Sequence, residues 1–155
     1  MVKKIAVLTA VFSLFFLSFN IKSHNQLTTQ DYVSKYDGCY TSHWGEAEKD
    51  LPQKKYLYHK NEEMFYLLDV TYKPFSKFDF PHNIIIGYEK GKLKQARYLY
   101  ADKSISEEIA KQITKDLKNY PSENENVKTW RNGKVEIQER IGDFLEIIIK
   151  SRINH

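Results

Sequence analysis

Residues 83–117 read NIIIGYEKGKLKQARYLYADKSISEEIAKQITKDL, and the pattern of this stretch changes once, near its middle. In the first half, β-branched and aromatic residues flank Lys90-Gly91, which predicts a β-hairpin with a two-residue turn. Such a turn sets Glu89 opposite Lys92, a favourable cross-strand charge pair. We therefore expect two antiparallel strands in this half.

The second half has the period of a helix that buries one face. Isoleucine or leucine recurs at every fourth position, at Ile105, Ile109, Ile113 and Leu117. Ser104 and Glu107 fit a capping box at the start, and Pro121 stops the helix. The pattern predicts a helix from Ser104 through Asn119 that packs on a flat apolar surface, for which the sheet is the candidate.

Asn61-Glu62 is the predicted turn of an earlier hairpin, between residues 55–60 and 64–72. A two-residue loop there pairs Tyr58 with Phe65 and Tyr56 with Leu67.

Asn132-Gly133 is the strongest turn signal in the chain, because both residue types tolerate positive φ. A two-residue loop at this point pairs Trp130 with Val135. A three-residue loop after Ile141 then sets Leu145, Ile147 and Ile149 on the face of Val135. A two-residue loop selects Phe144 and Ile148 instead. We prefer the three-residue loop, which gathers more apolar area on one face.

These elements predict an α+β fold in a single domain. The expected architecture is an antiparallel sheet of six to seven strands, arranged in hairpins, with one long helix packed on one face. About 132 residues follow residue 23, which is enough for one hydrophobic core.

The N-terminus has the pattern of a targeting signal. Lys3 and Lys4 precede an uncharged apolar run from Ile5 to Phe19, too short to cross a bilayer comfortably. We interpret residues 1–23 as a signal peptide and residues 24–155 as the domain, with an uncleaved anchor as the alternative. Without residues 1–23, which hold three lysines, 21 basic residues face 20 acidic ones. This balance gives no support for nucleic acid binding, and we expect a periplasmic or secreted protein.

Candidates for catalysis and metal binding are sparse in the sequence. Cys39 and His43 could act as nucleophile and base, but they sit in no known nucleophile motif, and a small buried thiol is the alternative. Two groups of candidate metal ligands match no known ligand spacing: His43 with Glu46 and Glu48, and Asp79 with His82. We expect no cofactor and no metal, and an enzyme is the less favoured class.

Tyrosine is unusually frequent in the first two strong hairpins. We take Tyr56, Tyr58, Tyr98 and Tyr100 as a candidate aromatic binding face, since exposed rings can stack on sugars, bases or a partner's side chains. The alternative is that tyrosine simply suits half-buried strands.

The order of elements resembles that of small exported bacterial α+β proteins with no assigned activity. The matching features are Trp44-Gly45, a strand that contains Gly91-Lys92-Leu93, the helix to Leu117, and Trp130 in the next hairpin. The chain departs from that pattern after the helix, where Tyr120-Pro121 lacks the usual intervening glycine. The resemblance implies export and supplies no activity.

The leading hypothesis is an exported, non-enzymatic binding domain with a protein partner in the cell envelope. In this hypothesis the membrane is contacted only through an uncleaved leader. One alternative is an inhibitor or immunity-type protein that caps a toxin or hydrolase. The other is a small hydrolase that uses Cys39 and His43.

Overall fold

The structure is a computed structural model that describes residues 32–49 and 53–153. The proposed leader, residues 1–23, lies outside the described residues. The described residues fall within one compact unit, Tyr32–His155. They form ten strands and one helix, α1 (Ser106–Leu117). The strands are β1 (Gly38–Cys39), β2 (Ser42–His43), β3 (Lys54–Lys60), β4 (Glu63–Leu68), β5 (Asn83–Glu89), β6 (Lys92–Tyr100), β7 (Ser122–Asn124), β8 (Val127–Arg131), β9 (Val135–Ile141) and β10 (Leu145–Ser151).

Eight of these strands form one antiparallel sheet in the order β3-β4-β5-β6-β10-β9-β8-β7. Short turns join β3 to β4 and β5 to β6, and the longer segment 69–82 connects these two hairpins. The chain then crosses through α1 to the far edge and returns by three more turns, so that β10 pairs with β6 in the middle. Strands β1 and β2 form a separate two-stranded sheet.

The prediction of an α+β fold with six to seven strands and one long helix is therefore wrong. The described chain is mostly β, with ten strands and a single 12-residue helix. Three of the ten strands, β1, β2 and β7, are only two or three residues long, too short to show an alternating pattern in the sequence. The predicted antiparallel pairing is confirmed.

One face of the large sheet carries the core. Side chains from β4, β5, β6, β8, β9 and β10 meet there, and two covers lie over them. Residues 32–49 and 69–82 contribute Cys39, Trp44 and Phe75 to this core, while α1 contributes Ile109 and Ile113. Both isoleucines are fully buried, as the helical period predicts.

The capping box predicted for α1 is wrong. Ile105 occupies the N-cap position and makes no side-chain cap hydrogen bond. Ser104 instead donates from its backbone N and its Oγ to Asp102 Oδ1, at 2.9 and 2.6 Å. The Asp102 carboxylate therefore holds the turn before the helix, and α1 ends with Lys118 in the left-handed conformation.

The turn between β5 and β6 matches its prediction. Glu89 pairs with Lys92, and both turn residues, Lys90 and Gly91, have positive φ of 51° and 74°.

The turn between β3 and β4 matches in part. Tyr58 pairs with Phe65 as predicted, but a bulge at Leu57 shifts the register beyond it. Tyr56 therefore lies opposite Tyr66, not Leu67, and Tyr56 and Tyr58 belong to opposite faces of the sheet. A bulge depends on how the neighbouring strand packs, so the turn residues alone did not reveal it.

The Asn132-Gly133 turn is longer than predicted. Trp130 pairs with Ile137, not Val135, because four residues, 132–135, separate the last pair, Arg131 and Glu136. Asn132 Oδ1 accepts hydrogen bonds from the backbone N atoms of Lys134 and Val135, each at 2.8 Å. The Asn132 side chain therefore stabilises the loop through hydrogen bonds, and this role does not require a positive φ at Asn132. The shift is by two positions, so the buried face is unchanged.

The last hairpin agrees with the preferred prediction. Ile141 pairs with Leu145 across a three-residue loop, and Leu145, Ile147 and Ile149 are all fully buried on the core face.

Candidate binding site on the open sheet face

The face of the large sheet opposite the core is here called the open face. Its central rows, read from the strand pairings, contain Tyr58, Phe65, Ile85, Gly87, Gln95, Arg97, Glu146, Ile148, Gln138 and Glu136. Both covers, the first formed by residues 32–49 with 69–82 and the second by α1, contribute to the core on the other face. Within the described part of the chain, the open face is therefore the side of the sheet left for a partner.

Phe65 is the centre of the aromatic half of the open face. Its ring stacks on the ring of Tyr58, with centroids 4.7 Å apart and planes at 22°. The Arg97 guanidinium also lies over the Phe65 ring, 4.9 Å from its centroid. Phe65 is fully buried although it belongs to the open face, because these two side chains and its neighbours enclose it. Tyr58, in contrast, is 40% exposed and offers its ring to a partner.

Arg97 is held in place by polar contacts. Its Nε donates to Gln95 Oε1 at 3.5 Å, and its Nη1 lies 3.7 Å from Glu146 Oε1. Gln95 is itself buried and donates from Nε2 to Glu63 Oε1 at 2.8 Å. An arginine with a fixed planar head loses little conformational entropy on binding, so Arg97 is prepared for a contact.

The other half of the open face carries a chain of polar contacts. Arg131 Nε and Gln138 Nε2 each donate to the Glu136 carboxylate at 2.7 Å, and Arg140 Nη2 donates to Gln138 Oε1 at 2.6 Å. Partial burial raises the pKa of Glu136, but the hydrogen bonds and charge of Arg131 outweigh it and the pKa is lowered overall. Glu136 is thus charged at neutral pH and keeps this network ordered.

The open face has the dimensions of a protein interface. Eight strands about 4.8 Å apart span about 34 Å, and a seven-residue strand is about 23 Å long. The product is roughly 780 Å², close to the area of about 800 Å² that each partner contributes to a standard interface. This face carries Tyr58 on the edge strand β3 and Arg97 on the central strand β6, and tyrosine and arginine are residues that often dominate binding energy.

The four tyrosines predicted as a binding face do not share one surface. Tyr98 and Tyr100 are buried in the core, where Tyr98 donates its hydroxyl to Cys39 Sγ at 3.4 Å. The Tyr100 hydroxyl is buried and has no hydrogen-bond partner among the described residues. Tyr56 and Tyr58 are exposed on the edge strand β3 but face opposite sides. Of the four, only Tyr58 contributes to the open face.

Sequence reasoning missed the residues that organise the open face. Gly87 carried a usable signal, because a glycine inside a strand often marks the close approach of another group. Its cross-strand partner is Phe65. Arg97 gave a weaker signal, as a charged residue between two buried positions, and its contact with Phe65 depends on the sheet register.

Cys39 and His43 do not form a catalytic pair. Cys39 is 2% exposed, and burial raises the pKa of its thiol to about 12, while the hydrogen bond from Tyr98 lowers it less strongly. A thiol with this pKa is protonated at neutral pH and is a poor nucleophile. His43 is exposed on the neighbouring strand, opposite Gly38.

Two other classes of site find no support in the described residues. No group of three or more histidine, cysteine, aspartate or glutamate side chains is placed to hold a metal ion in residues 32–49 and 53–153. In the same residues, no helix has the length and apolar character needed to cross a membrane.

Comparison of the chain with family models, with curated proteins and with solved structures gives no match.

Proposed function

We propose that this protein is an exported, non-enzymatic domain that binds a protein partner in the cell envelope through the open face of its sheet. The observation that carries the proposal is the group formed by Tyr58, Phe65 and Arg97, in which an exposed ring and an ordered guanidinium both lie against the Phe65 ring. Such pairs of aromatic and arginine side chains act as anchors at protein interfaces.

The charges of the open face favour a protein over a nucleic acid. Arg97 and Arg131 lie beside Glu146 and Glu136. A surface of mixed sign offers no continuous basic stripe for a phosphate backbone. It does offer paired charges that can fix the orientation of a protein partner.

Export rests on the sequence of residues 1–23 alone. Fractionation of cells that express the full chain, with the mass of the recovered protein, tests it. We expect the protein in the periplasm or medium, with a mass that shows loss of the leader. Recovery from the cytoplasm at full mass contradicts export.

The binding surface is tested by site-specific photo-crosslinking in envelope extract. A photoreactive amino acid replaces Ile85 or Leu99, both half-buried on the open face, or Lys111 on the exposed side of α1. We expect the two open-face positions to crosslink to the same protein and position 111 to give no such product. Equal products from all three positions, or products from position 111 alone, would falsify the proposal.

Alanine variants then measure the contribution of the anchors. We expect Tyr58→Ala and Arg97→Ala to weaken binding of the crosslinked partner by about 2 kcal/mol or more each, the size typical of interface anchors. Lys111→Ala is the matched control and should bind as the unmodified protein does. Circular dichroism must show that each variant is folded before its affinity is compared.

A further inference from the structure

A groove lined by four lysines lies between residues 73–78 and α1, on the core side of the molecule and away from the open face. It has a volume of about 330 Å³, within the usual range for ligand sites of about 300–1,000 Å³. Lys35, Lys73, Lys77 and Lys115 line it together with Ser76 and Gln112. No carboxylate is among its lining residues in the described part of the chain.

Two of the lining residues contact the carboxylate of Asp116, which already accepts several hydrogen bonds. Asp116 accepts hydrogen bonds from the Tyr36 hydroxyl at 2.8 Å, from Gln112 Nε2 at 2.6 Å and from Lys35 Nζ at 3.3 Å. Partial burial raises its pKa, but these contacts outweigh that effect and the pKa is lowered overall, so Asp116 is charged. Its single charge is shared by Lys35 and two neutral donors.

The other three lysines of the groove are not neutralised. Among the described residues, Lys73, Lys77 and Lys115 have no carboxylate within 4.0 Å. The Lys73 Nζ lies 4.6 Å from the centroid of the Phe80 ring, a contact that leaves its positive charge in place. Like charges on the walls of one groove repel each other, and an anion in the groove would relieve this repulsion. The chain downstream of residue 23 is almost neutral, so the cluster is a local asymmetry and does not follow from composition.

From this arrangement we propose that the lysine groove binds a phosphate group carried by a small solute or by a lipid headgroup. Lysines act as separate point charges and suit a multiply charged phosphate. A carboxylate is better recognised by the planar fork of an arginine, which the groove lacks. The Ser76 hydroxyl supplies a further hydrogen-bond donor at the same site.

The test measures binding of glycerol 3-phosphate by calorimetry, and of vesicles of phosphatidylglycerol or phosphatidylcholine by sedimentation, at low salt with the full protein. We expect saturable binding that weakens as salt rises. Binding to glycerol 3-phosphate identifies a soluble ligand. Binding to phosphatidylglycerol vesicles alone identifies a headgroup at a membrane surface.

The double variant Lys77→Ala/Lys115→Ala should weaken binding at least about tenfold, equivalent to about 1.4 kcal/mol. The control Lys55→Ala/Lys60→Ala removes the same charge from the exposed strand β3 and should bind normally. The groove variant should also be as stable as the unmodified protein when no ligand is present. The substitutions remove repulsion between lysines, and they break no ion pair among the described residues. The proposal is overturned if none of the phosphate probes binds at low salt, or if both double variants lose affinity equally.

Discussion

The Phe65 ring lies against Gly87 of the neighbouring strand, so closely that a Cβ atom at position 87 would come within 2.9 Å of its Cε1. The same Cβ would lie 2.8 Å from Gln95 Cγ. Both neighbours are buried and have no room to move away. The missing side chain of Gly87 is therefore what allows Phe65 to sit inside the open face with Tyr58 and Arg97 around it.

We predict that Gly87→Ala destabilises the protein by about 1–3 kcal/mol, the usual cost of overpacking a close-packed site. Unfolding in urea measures the change. Gly133→Ala is the matched control, because nothing lies within 4 Å of a Cβ at that position and its φ is outside the left-handed region. If both variants have the same stability, the close approach of Phe65 to Gly87 is not a constraint.

Glu139 is a buried carboxylate whose neighbours satisfy it only in part. Its Oε1 accepts from Ser106 Oγ at 2.7 Å and lies 3.6 Å from Lys128 Nζ, while Oε2 has no partner among the described residues. Lys128 makes its closer contact with Glu107, at 2.6 Å. Burial therefore raises the pKa of Glu139 above its ordinary value of 4.5, despite the hydrogen bond from Ser106 and the charge of Lys128.

A raised pKa means that the folded protein holds this proton more tightly than the unfolded chain does. The contribution of Glu139 to stability is complete below about pH 4.5 and is lost as the pH rises through its raised pKa. We predict that Glu139→Gln, which cannot ionise, raises the melting temperature relative to the unmodified protein at pH 7, and that this gain disappears at pH 4.

Glu136→Gln is the control for the pH series. The pKa of Glu136 is lowered overall, so its stabilising contribution is present above about pH 4.5 and is lost as the pH falls through its lowered value. This variant should be less stable than the unmodified protein at neutral pH and similar to it in strong acid. Melting curves that shift in the same direction for both variants at pH 7 would contradict the different environments of the two carboxylates.

Cys39 should be unreactive in the folded protein. Its thiol is buried, with a pKa raised to about 12, and it accepts a hydrogen bond from Tyr98. We predict no labelling by iodoacetamide at pH 8 in native buffer and complete labelling in concentrated guanidinium chloride, followed by mass spectrometry. A double variant, Cys39→Ala/Ser104→Cys, carries an exposed thiol and should be labelled while folded. Rapid labelling of native Cys39 would show that the core over β6 opens readily.

One hydrogen bond links the side chain of Thr114 in α1 to the sheet. The buried Trp130 ring donates from Nε1 to Thr114 Oγ1 at 3.0 Å. Thr114→Val keeps the shape and removes the acceptor, so we predict a loss of about 1–3 kcal/mol from a buried unpaired donor. Thr129→Val on the open face should change stability by less than about 0.5 kcal/mol. Chemical denaturation of both variants measures the difference, and equal stability would mean that the indole finds another partner.

Short-range patterns predicted the local elements well. The turn at Lys90-Gly91, the loop after Ile141 and the buried stripe of Ile109 and Ile113 all match the structure. Each of these depends on residues within about ten positions of each other. The register errors at Tyr56 and Trp130 arose where a bulge added one residue to one hairpin and where the loop held by Asn132 added two residues to another.

The candidate site was much less predictable. Of the tyrosines proposed for binding, the sequence could not separate Tyr58, which is exposed, from Tyr98, which is buried. Both occupy alternating positions in strands with similar neighbours. Which face of a strand is buried depends on where the two covers lie, and these covers come from segments distant in the chain.

The sequence by itself determined the hairpins, their antiparallel pairing and the apolar face of the helix, because turn chemistry and side-chain period act over a few residues. Only the tertiary structure decided that α1 carries the chain from β6 to the far edge, so that β10 returns to pair with β6 in one eight-stranded sheet. The same crossing brings Glu146 beside Arg97 on the open face and places Lys115 of α1 in one groove with Lys73 and Lys77. These groupings depend on contacts between residues far apart in sequence, and no local pattern records such contacts.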